Sequence, residues 1–185
     1  MELIIVIVVL AVLALILVGI YNRLVALRAR ADQAFADIDV QLKQRHDLIP
    51  NLVETVKGYA AHETSTLEAV IQARNQAEHA TTVEGKVQAE AAVTAGLGRL
   101  FAIAEAYPDL KANTNFLSLQ SELSDVENKL AAARRFFNNA IAEYNTGRQS
   151  FPAVLFAGLL GFGPRSSFDL GEQRDTLEVA PSVKF

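Results

Sequence analysis

The chain opens on an unbroken apolar stretch that dominates its hydrophobic pattern. Residues 3–20 form eighteen consecutive apolar positions with no polar face. At about 1.5 Å per residue, a helix of that length spans roughly 27 Å, which is close to the hydrocarbon thickness of a bilayer. We therefore predict a transmembrane anchor over residues 1–22. The apolar side chains assigned to this anchor include Leu3, Ile4, Ile5, Leu10, Leu13, Leu17 and Ile20.

The residues that flank the apolar stretch bear on processing and sidedness. Only Met1 and Glu2 come before the apolar stretch, so no lysine or arginine precedes it, and no Ala-x-Ala cleavage pattern follows it. A cleaved signal peptide is therefore the less favoured alternative. Arg23, Arg28 and Arg30 come directly after it. The positive-inside rule predicts an outside N-terminus and a cytoplasmic body, with a periplasmic or extracellular body as the alternative.

The helical pattern continues beyond the anchor. No glycine or proline interrupts residues 20–49, so one helix is expected to leave the membrane and enter the body. We expect this helix to end near Pro50, because a proline disfavours helical geometry at the preceding residue. Its apolar stripe consists of Leu24, Leu27, Ala31, Ala34, Ile38 and Leu42.

Three further amphipathic helices are predicted in the body. Gly58 lies inside the second predicted helix of the chain, where a glycine mildly lowers helix stability. Because each helix must bury an apolar stripe, we predict an all-α fold in which residues 23–151 form an antiparallel four-helix bundle continuous with the anchor. The three helices are expected at about 50–81, 84–106 and 113–151, with a threonine cap in the turn at 81–85, a stop at Pro108 and capping side chains at Asn113, Thr114 and Asn115.

A second apolar segment follows the bundle. Residues 153–163, within a segment at 152–164, are too few to span a bilayer. We predict a cap over the open end of the bundle, with an interfacial membrane segment or a subunit contact as alternatives. Residues 165–185 are predicted to be an extended tail, and a strand paired with another chain is an alternative for 176–179. The candidate interaction residues are Leu155, Phe156, Leu159, Leu160 and Phe162 in the apolar segment, and Val183 and Phe185 at the end of the tail.

Composition and motifs argue against several kinds of chemistry. The net charge of −4 does not favour nucleic-acid binding, and the absence of cysteine excludes disulfides and thiolate chemistry. His62 and Glu63 resemble the start of a zinc-protease helix, but Thr66 stands where the second histidine is required. We therefore predict no catalytic residue, no metal site and no cofactor.

Polar residues interrupt the apolar stripes in two places. Their simpler interpretation is that they cap helices and form ion pairs that fix helix register. The alternative is a polar docking surface. The residues concerned are Asp39, Arg45, His46, Asp47 and Asn51 around the first turn, and Asn113, Asn115, Asn128, Arg134, Arg135 and Asn145 along the fourth helix. Of the second group, Arg134 and Arg135 are the candidate docking residues.

Several strings along the chain resemble the LemA family of bacterial membrane proteins. They are Tyr21 to Val25 after the anchor, residues 37–53, residues 107–113, residues 127–129, residues 133–138 and Tyr144 to Thr146. The resemblance covers nearly the whole chain, and Phe35 stands where many relatives are expected to carry a tryptophan. It implies a membrane helix, a long-helix bundle and no established enzymatic activity. It also implies an association with membrane metalloproteases of the heat-shock type.

Three functions remain open from the sequence. The first is a non-enzymatic scaffold in the inner membrane that forms a homo-oligomer and presents a helical surface to other membrane proteins. The second is a lipid-organising protein that uses residues 153–163 against the bilayer. The third is an enzyme with an unrecognised site assembled across the bundle.

Overall fold

The computed structural model describes residues 1–168, and that range is helical, with no β-strand. The predicted all-α class is confirmed. The helices are α1 (Glu2–Lys57), α2 (Thr64–Glu78), α3 (Val83–Ala106), α4 (Pro108–Lys111) and α5 (Thr114–Gln149), followed by a 3₁₀ turn at Ala153–Leu155.

Helix α1 carries the apolar stretch and continues into the body without a break, as predicted. Residues 1–19 are exposed along its first turns. Within the described part of the chain, α1 is the one helix long and apolar enough to cross a membrane. An exposed apolar surface of this kind is stable only when something other than water covers it.

The predicted end of the first helix near Pro50 is wrong, because α1 passes through Pro50 and ends at Lys57. Proline has no backbone N–H, so it leaves the carbonyl of residue i−4, here His46, without its helical partner. In the structure, Nε of Arg74 donates a hydrogen bond to that carbonyl at 3.3 Å. The helix ends one residue before Gly58, and the predicted helix at 50–81 is reduced to α2.

The predicted caps of the later helices are confirmed. The Thr82 hydroxyl accepts a hydrogen bond from the Gly85 amide at 3.0 Å at the start of α3. Oδ1 of Asn113 accepts one from the Phe116 amide, also at 3.0 Å, at the start of α5. Each cap satisfies an amide that has no partner inside its helix.

The chain divides into two compact units. Residues 1–40 and 130–167 form one, here called the anchor unit, and residues 41–129 lie in the other, here called the central unit. Helix α1 contributes to the anchor unit up to Val40, and α5 contributes to it from Leu130. Residues 23–151, which the pattern predicts as one bundle, therefore contribute to both units.

The central unit has a continuous apolar core. Gly96 lets α3 approach α2 closely, because a Cβ at that position would lie 3.3 Å from Cγ2 of Val70. Burying one leucine or valine side chain stabilises a fold by about 1.5–3 kcal/mol, so this core supplies most of the drive for the unit to form. Its most buried members are Ile49, Leu52, Val56, Val70, Val93, Leu100 and Leu110.

The anchor unit packs α1 against the second half of α5. The rings of Phe35 and Phe137 lie 5.5 Å apart, and Leu24 and Tyr144 are both buried. At Gly147 the two helices come so close that an added Cβ would lie 2.6 Å from Cδ1 of Leu27. The C-terminal apolar segment adds Ala153, Ala157 and Phe162 to this core.

Candidate functional site

The apolar segment after α5 forms a short, tightly turned element of the anchor unit. Its inner side chains, Ala153, Ala157 and Phe162, are buried beside Leu24 and Tyr144. Phe162 also meets Tyr21 edge to face, with ring centroids 5.6 Å apart. The segment therefore lies against the part of α1 that directly follows the apolar stretch.

Hydrogen bonds from α5 hold the end of this segment in place. The Tyr144 hydroxyl donates to the Gly163 carbonyl at 2.8 Å, and Nε of Arg148 donates to the Phe162 carbonyl at 3.1 Å. Asn145 exchanges two hydrogen bonds with the backbone of Arg165, at 2.8 and 3.2 Å. These polar partners fix the backbone, so the segment has a defined outer surface.

The outer surface of the segment is apolar. We call Val154, Leu155, Phe156, Leu159 and Leu160 the apolar face. Leu159 is 88% exposed and Leu155 is 58% exposed. Next to the apolar face lies an open groove of about 390 Å³, lined by Phe156, Leu159 and Leu160 and by Leu17, Val18 and Tyr21 of α1.

The predicted interaction residues fall into three groups. Leu155, Leu159 and Leu160 are exposed and Phe156 is half-buried, so these four belong to a surface. Phe162 is buried and serves the core of the anchor unit. The other two, Val183 and Phe185, lie outside the described residues, as does the suggested strand at 176–179.

A buried polar cluster lies in the central unit. Nη1 of Arg45 lies 2.7 Å from Oε2 of Glu90, and Nε2 of His46 lies 2.7 Å from Oε1 of the same carboxylate. Nη2 of Arg45 donates to the Thr94 hydroxyl at 2.8 Å, and its Nε lies 2.6 Å from a carboxylate oxygen of Glu127. We call these five residues the Arg45 cluster.

Helix geometry brings the members of the Arg45 cluster together. Arg45 and His46 are adjacent on α1, and Glu90 and Thr94 are one turn apart on the same face of α3. Glu127 reaches the cluster from α5. The cluster therefore connects three helices of the central unit: Glu90 on α3 is hydrogen-bonded to Arg45 and His46 on α1, and Glu127 on α5 forms an ion pair with Arg45. Hydrogen bonds that involve charged groups are stronger than neutral ones.

Glu90 is ionised in this setting. Burial by itself would raise the pKa of its carboxyl, because a low-dielectric interior disfavours charge. The hydrogen bond and charge of His46, followed by those of Arg45, outweigh burial and hold the pKa below its ordinary value. The carboxylate at Glu90 thus compensates the buried guanidinium of Arg45.

A second cleft, of about 350 Å³, lies beside the Arg45 cluster and is lined in part by Thr94, Leu97, Phe101 and Glu127. Both carboxylate oxygens of Glu90 are engaged by Arg45 and His46. Among residues 1–168, no group of histidine and carboxylate side chains is arranged to hold a metal ion. The arrangement forms an ion-paired clamp that couples helices.

The structure distributes the predicted docking residues between interior and surface. Arg45 and His46 are 1% and 4% exposed, so they belong to the interior, as the ion-pair interpretation expects. Of the others, Asp47, Asn51 and Arg135 are exposed, while Asp39 and Arg134 are partly buried. A docking role for these five stays a prediction.

Glu90 is the central residue that the sequence reasoning missed. It precedes Val93, Leu97 and Leu100 at spacings of three, four and three residues, which places it on the apolar stripe of α3. A lone carboxylate on a stripe of buried residues signals a buried ionic partner. Nothing in the spacing identifies Arg45 as that partner, because the two are 45 positions apart.

The fold defines an all-α protein whose first helix is long and apolar enough to cross a membrane and whose central unit contains a buried ionic clamp. A family model described as the LemA family matches residues 34–185, and the chain belongs to this family of membrane-associated proteins. The resemblance inferred from the sequence strings is confirmed.

Three relatives show how far the similarity extends. Magnetosome protein MamQ of Magnetospirillum gryphiswaldense is 26% identical over 189 residues, covering 88% of this chain and 70% of its own. Magnetosome protein MamQ 1 of Paramagnetospirillum magneticum is 24% identical with the same coverage. Protein LemA of Metamycoplasma hominis is 25% identical over 135 residues, covering 72% of this chain and 62% of its own. None of these names is that of an enzyme.

Proposed function

We propose that this protein is a membrane-anchored, non-enzymatic helical scaffold that self-associates and presents its helical body to other membrane proteins. The observation that carries the proposal is the continuity of α1, whose apolar stretch passes into buried body positions without a loop. Leu24, Ala31 and Ile38 are buried on the same helix that carries the exposed apolar residues 3–19. A helical connection of this kind holds the anchor unit at the membrane surface.

The absence of an enzymatic role is supported by the Arg45 cluster. A catalytic acid or base must reach its substrate with a free lone pair or proton. Here Glu90 faces Arg45 and His46 at 2.7 Å, and the guanidinium of Arg45 is matched by two carboxylates. Such pairing favours a role in holding the helices of the central unit together.

A cytoplasmic body is part of the proposal. Arg30 is paired with Glu143 at 2.8 Å and lies over the ring of Phe136, whereas Arg23 and Arg28 are exposed. Exposed basic residues directly after a membrane helix favour retention of that side in the cytoplasm. A periplasmic or extracellular body is the alternative.

Self-association and partner binding complete the proposal. Residues 3–19 expose an apolar surface around the whole helix, which a second copy in the same bilayer can share. The family resemblance, and no contact within this chain, supports a membrane metalloprotease of the heat-shock type as a neighbour. Such a neighbour would place the scaffold in envelope quality control.

Photo-crosslinking in native membranes tests this proposal. A photoreactive residue at Leu13, within the apolar stretch, is expected to give adducts between two copies of the chain. The same residue at Glu122, exposed on α5, is expected to give adducts with other membrane proteins, which mass spectrometry identifies. Leu100 is fully buried and serves as the matched control. Two results together would contradict the scaffold: no crosslinked dimer with the photoreactive residue at Leu13, and no more adducts at Glu122 than at the buried control position Leu100.

A lipid-organising protein is the second candidate, and one observation favours it. The apolar face remains exposed after the anchor unit has formed, with Leu159 88% exposed. Exposed apolar surface beside a membrane helix is suited to contact with lipid. The two candidates share the same anchor and differ in the surface that carries the function, which is the helical body in the scaffold and the apolar face in the lipid-organising protein.

A further inference from the structure

We infer that the apolar face inserts into the membrane leaflet from which α1 emerges, so that the protein contacts the bilayer through a spanning helix and through a shallow interfacial segment. The occupant of the groove beside it is then lipid acyl chain. This inference rests on the proposed membrane anchoring by α1. It goes beyond that anchoring by assigning a second lipid contact to residues 150–164.

The depth of the segment follows from the residues that share the groove. Leu17 and Val18 belong to the last turn of the apolar stretch, and they line the groove together with Phe156, Leu159 and Leu160. Leu17 precedes the end of the stretch at Ile20 by three residues, which is roughly 4.5 Å along a helix. Interfacial elements bury their apolar side about 5–10 Å into the boundary between headgroups and acyl chains, so the apolar face lies at a matching level.

The backbone of the segment suits this environment. Irregular backbone is excluded from lipid when its polar groups lack partners. Here the amides of Phe156, Ala157 and Phe162 donate to carbonyls within the segment at 3.0, 2.8 and 2.9 Å. The carbonyls of Phe162 and Gly163 accept from side chains of α5. The turns therefore reach the membrane with much of their backbone already paired.

Charge is distributed as an interfacial element requires. Residues 150–164 contain no aspartate, glutamate, lysine or arginine. Arg148 and Arg165 bracket this stretch within the anchor unit. Arg148 donates a hydrogen bond to a carbonyl, and Arg165 forms an ion pair with Asp32 at 2.6 Å. An uncharged loop held at both ends by arginines can enter the interface without burying a charge.

Lipid fits the apolar face better than a second copy of the chain does. The groove is continuous with the surface of α1 at Leu17 and Val18, and a bilayer that surrounds the anchor already covers those residues. Leu159 projects from the turns at 88% exposure, which suits insertion among mobile acyl chains. A copy of the chain at this face is an outcome that the following experiment can detect.

The natural chain has no tryptophan, so one introduced tryptophan reports its own surroundings. The full chain with Leu159→Trp is reconstituted into phosphatidylcholine vesicles whose acyl chains carry bromine either near the headgroup or near the chain end. We expect blue-shifted emission, protection from acrylamide, and stronger quenching by the shallow bromines. Leu10→Trp, in the middle of the anchor, should be quenched more by the deep bromines. Glu122→Trp should be quenched by neither.

Three results would overturn the inference. Acrylamide-accessible, red-shifted emission of Leu159→Trp, with Leu10→Trp still quenched, would place the apolar face in water and leave the anchor intact. Blue-shifted emission without bromine quenching would show a protein contact, such as a second copy. Loss of bromine quenching at Leu10→Trp would refute the membrane anchoring as well. Leu155→Trp, at a second exposed position, repeats the measurement, and equal helical circular dichroism confirms that each variant folds.

Discussion

Substitution of Glu90 by glutamine tests whether the Arg45 cluster stabilises the central unit as an ionic clamp. The change keeps the shape of the side chain and removes its charge. Arg45 is 1% exposed and would retain only the carboxylate of Glu127, whose side chain is 39% exposed. His46 would face a neutral amide in place of the carboxylate that now lies 2.7 Å from its Nε2.

The expected cost follows from the burial of the pair. Removal of one partner from a buried ion pair destabilises a protein by about 3–5 kcal/mol, because the remaining charge stays in the interior. Since Glu127 continues to pair with Arg45, we expect the lower end, about 3 kcal/mol. The matched control is Asp47→Asn, which breaks an exposed pair with Lys43 on α1. An exposed pair of this spacing is worth about 0.3–0.5 kcal/mol.

The assay is urea unfolding of the full chain in mild detergent, in which the helical circular dichroism signal is measured as a function of urea concentration. Equal losses for Glu90→Gln and Asp47→Asn would refute the clamp. A variant with Arg45→Met, His46→Leu and Glu90→Leu separates charge from packing. Replacement of a whole buried ion pair by apolar residues is often neutral or stabilising, so this variant should unfold at a higher urea concentration than Glu90→Gln.

Four further outcomes are expected. The pKa of Glu90 in the folded protein lies below its ordinary value of 4.5. The ionised carboxylate therefore stabilises the fold above about pH 4.5, and this stabilisation is lost as the pH falls through the folded pKa. Acid unfolding should show the loss for the natural chain and not for Glu90→Gln. Arg74→Met removes the donor to the His46 carbonyl and should lower the free energy of unfolding in urea by about 1–3 kcal/mol. In a Pro50→Ala background the loss should be smaller, because the backbone amide of residue 50 then donates to that carbonyl. Lys43→Cys in the otherwise cysteine-free chain should resist membrane-impermeant thiol reagents in intact cells, and ready labelling would reverse the proposed sidedness. Phe185→Asp, or a cut after residue 180, should leave the helices folded but remove one co-purified partner or reduce assembly size; identical partners and size would contradict a binding role for the tail.

The helical periodicity of the sequence predicted the helices well. It failed at Pro50, where a residue distant in the sequence compensates for the local effect of proline. Of the stripe on α1, Leu24, Ala31, Ala34 and Ile38 are buried and Leu27 is partly buried. The caps at Thr82 and Asn113 form. Pro50 was expected to end a helix because a proline disfavours helical geometry at the preceding residue. Its missing amide also leaves the His46 carbonyl without a helical donor. Arg74 supplies a donor from another helix, 28 positions from the carbonyl it reaches. No local pattern contains that information.

The candidate sites show the same division. The composition of residues 153–163 indicated an apolar element, and its alternatives already included the membrane interface. Which of its side chains face inward depends on contacts with Leu24 and Tyr144, and these form only after α1 and α5 meet. Arg45 and His46 were recognised as unusual polar residues, but their partner Glu90 became visible only through the packing of α3 on α1.

The unbroken passage of α1 from apolar stretch to packed body has a rotational consequence. Each residue of an α-helix advances the side-chain direction by about 100°, so the directions of the side chains in the apolar stretch are fixed relative to those of the core-facing side chains further along α1. One residue inserted after Asn22 would turn Leu17 and Val18 by about 100° away from Phe156 and Leu159. Seven inserted residues complete almost two whole turns and would nearly restore the original phase. Because residues 1–40 belong to one compact unit, the length of α1 between the apolar stretch and the packed body fixes which side of the apolar stretch lies beside residues 153–163.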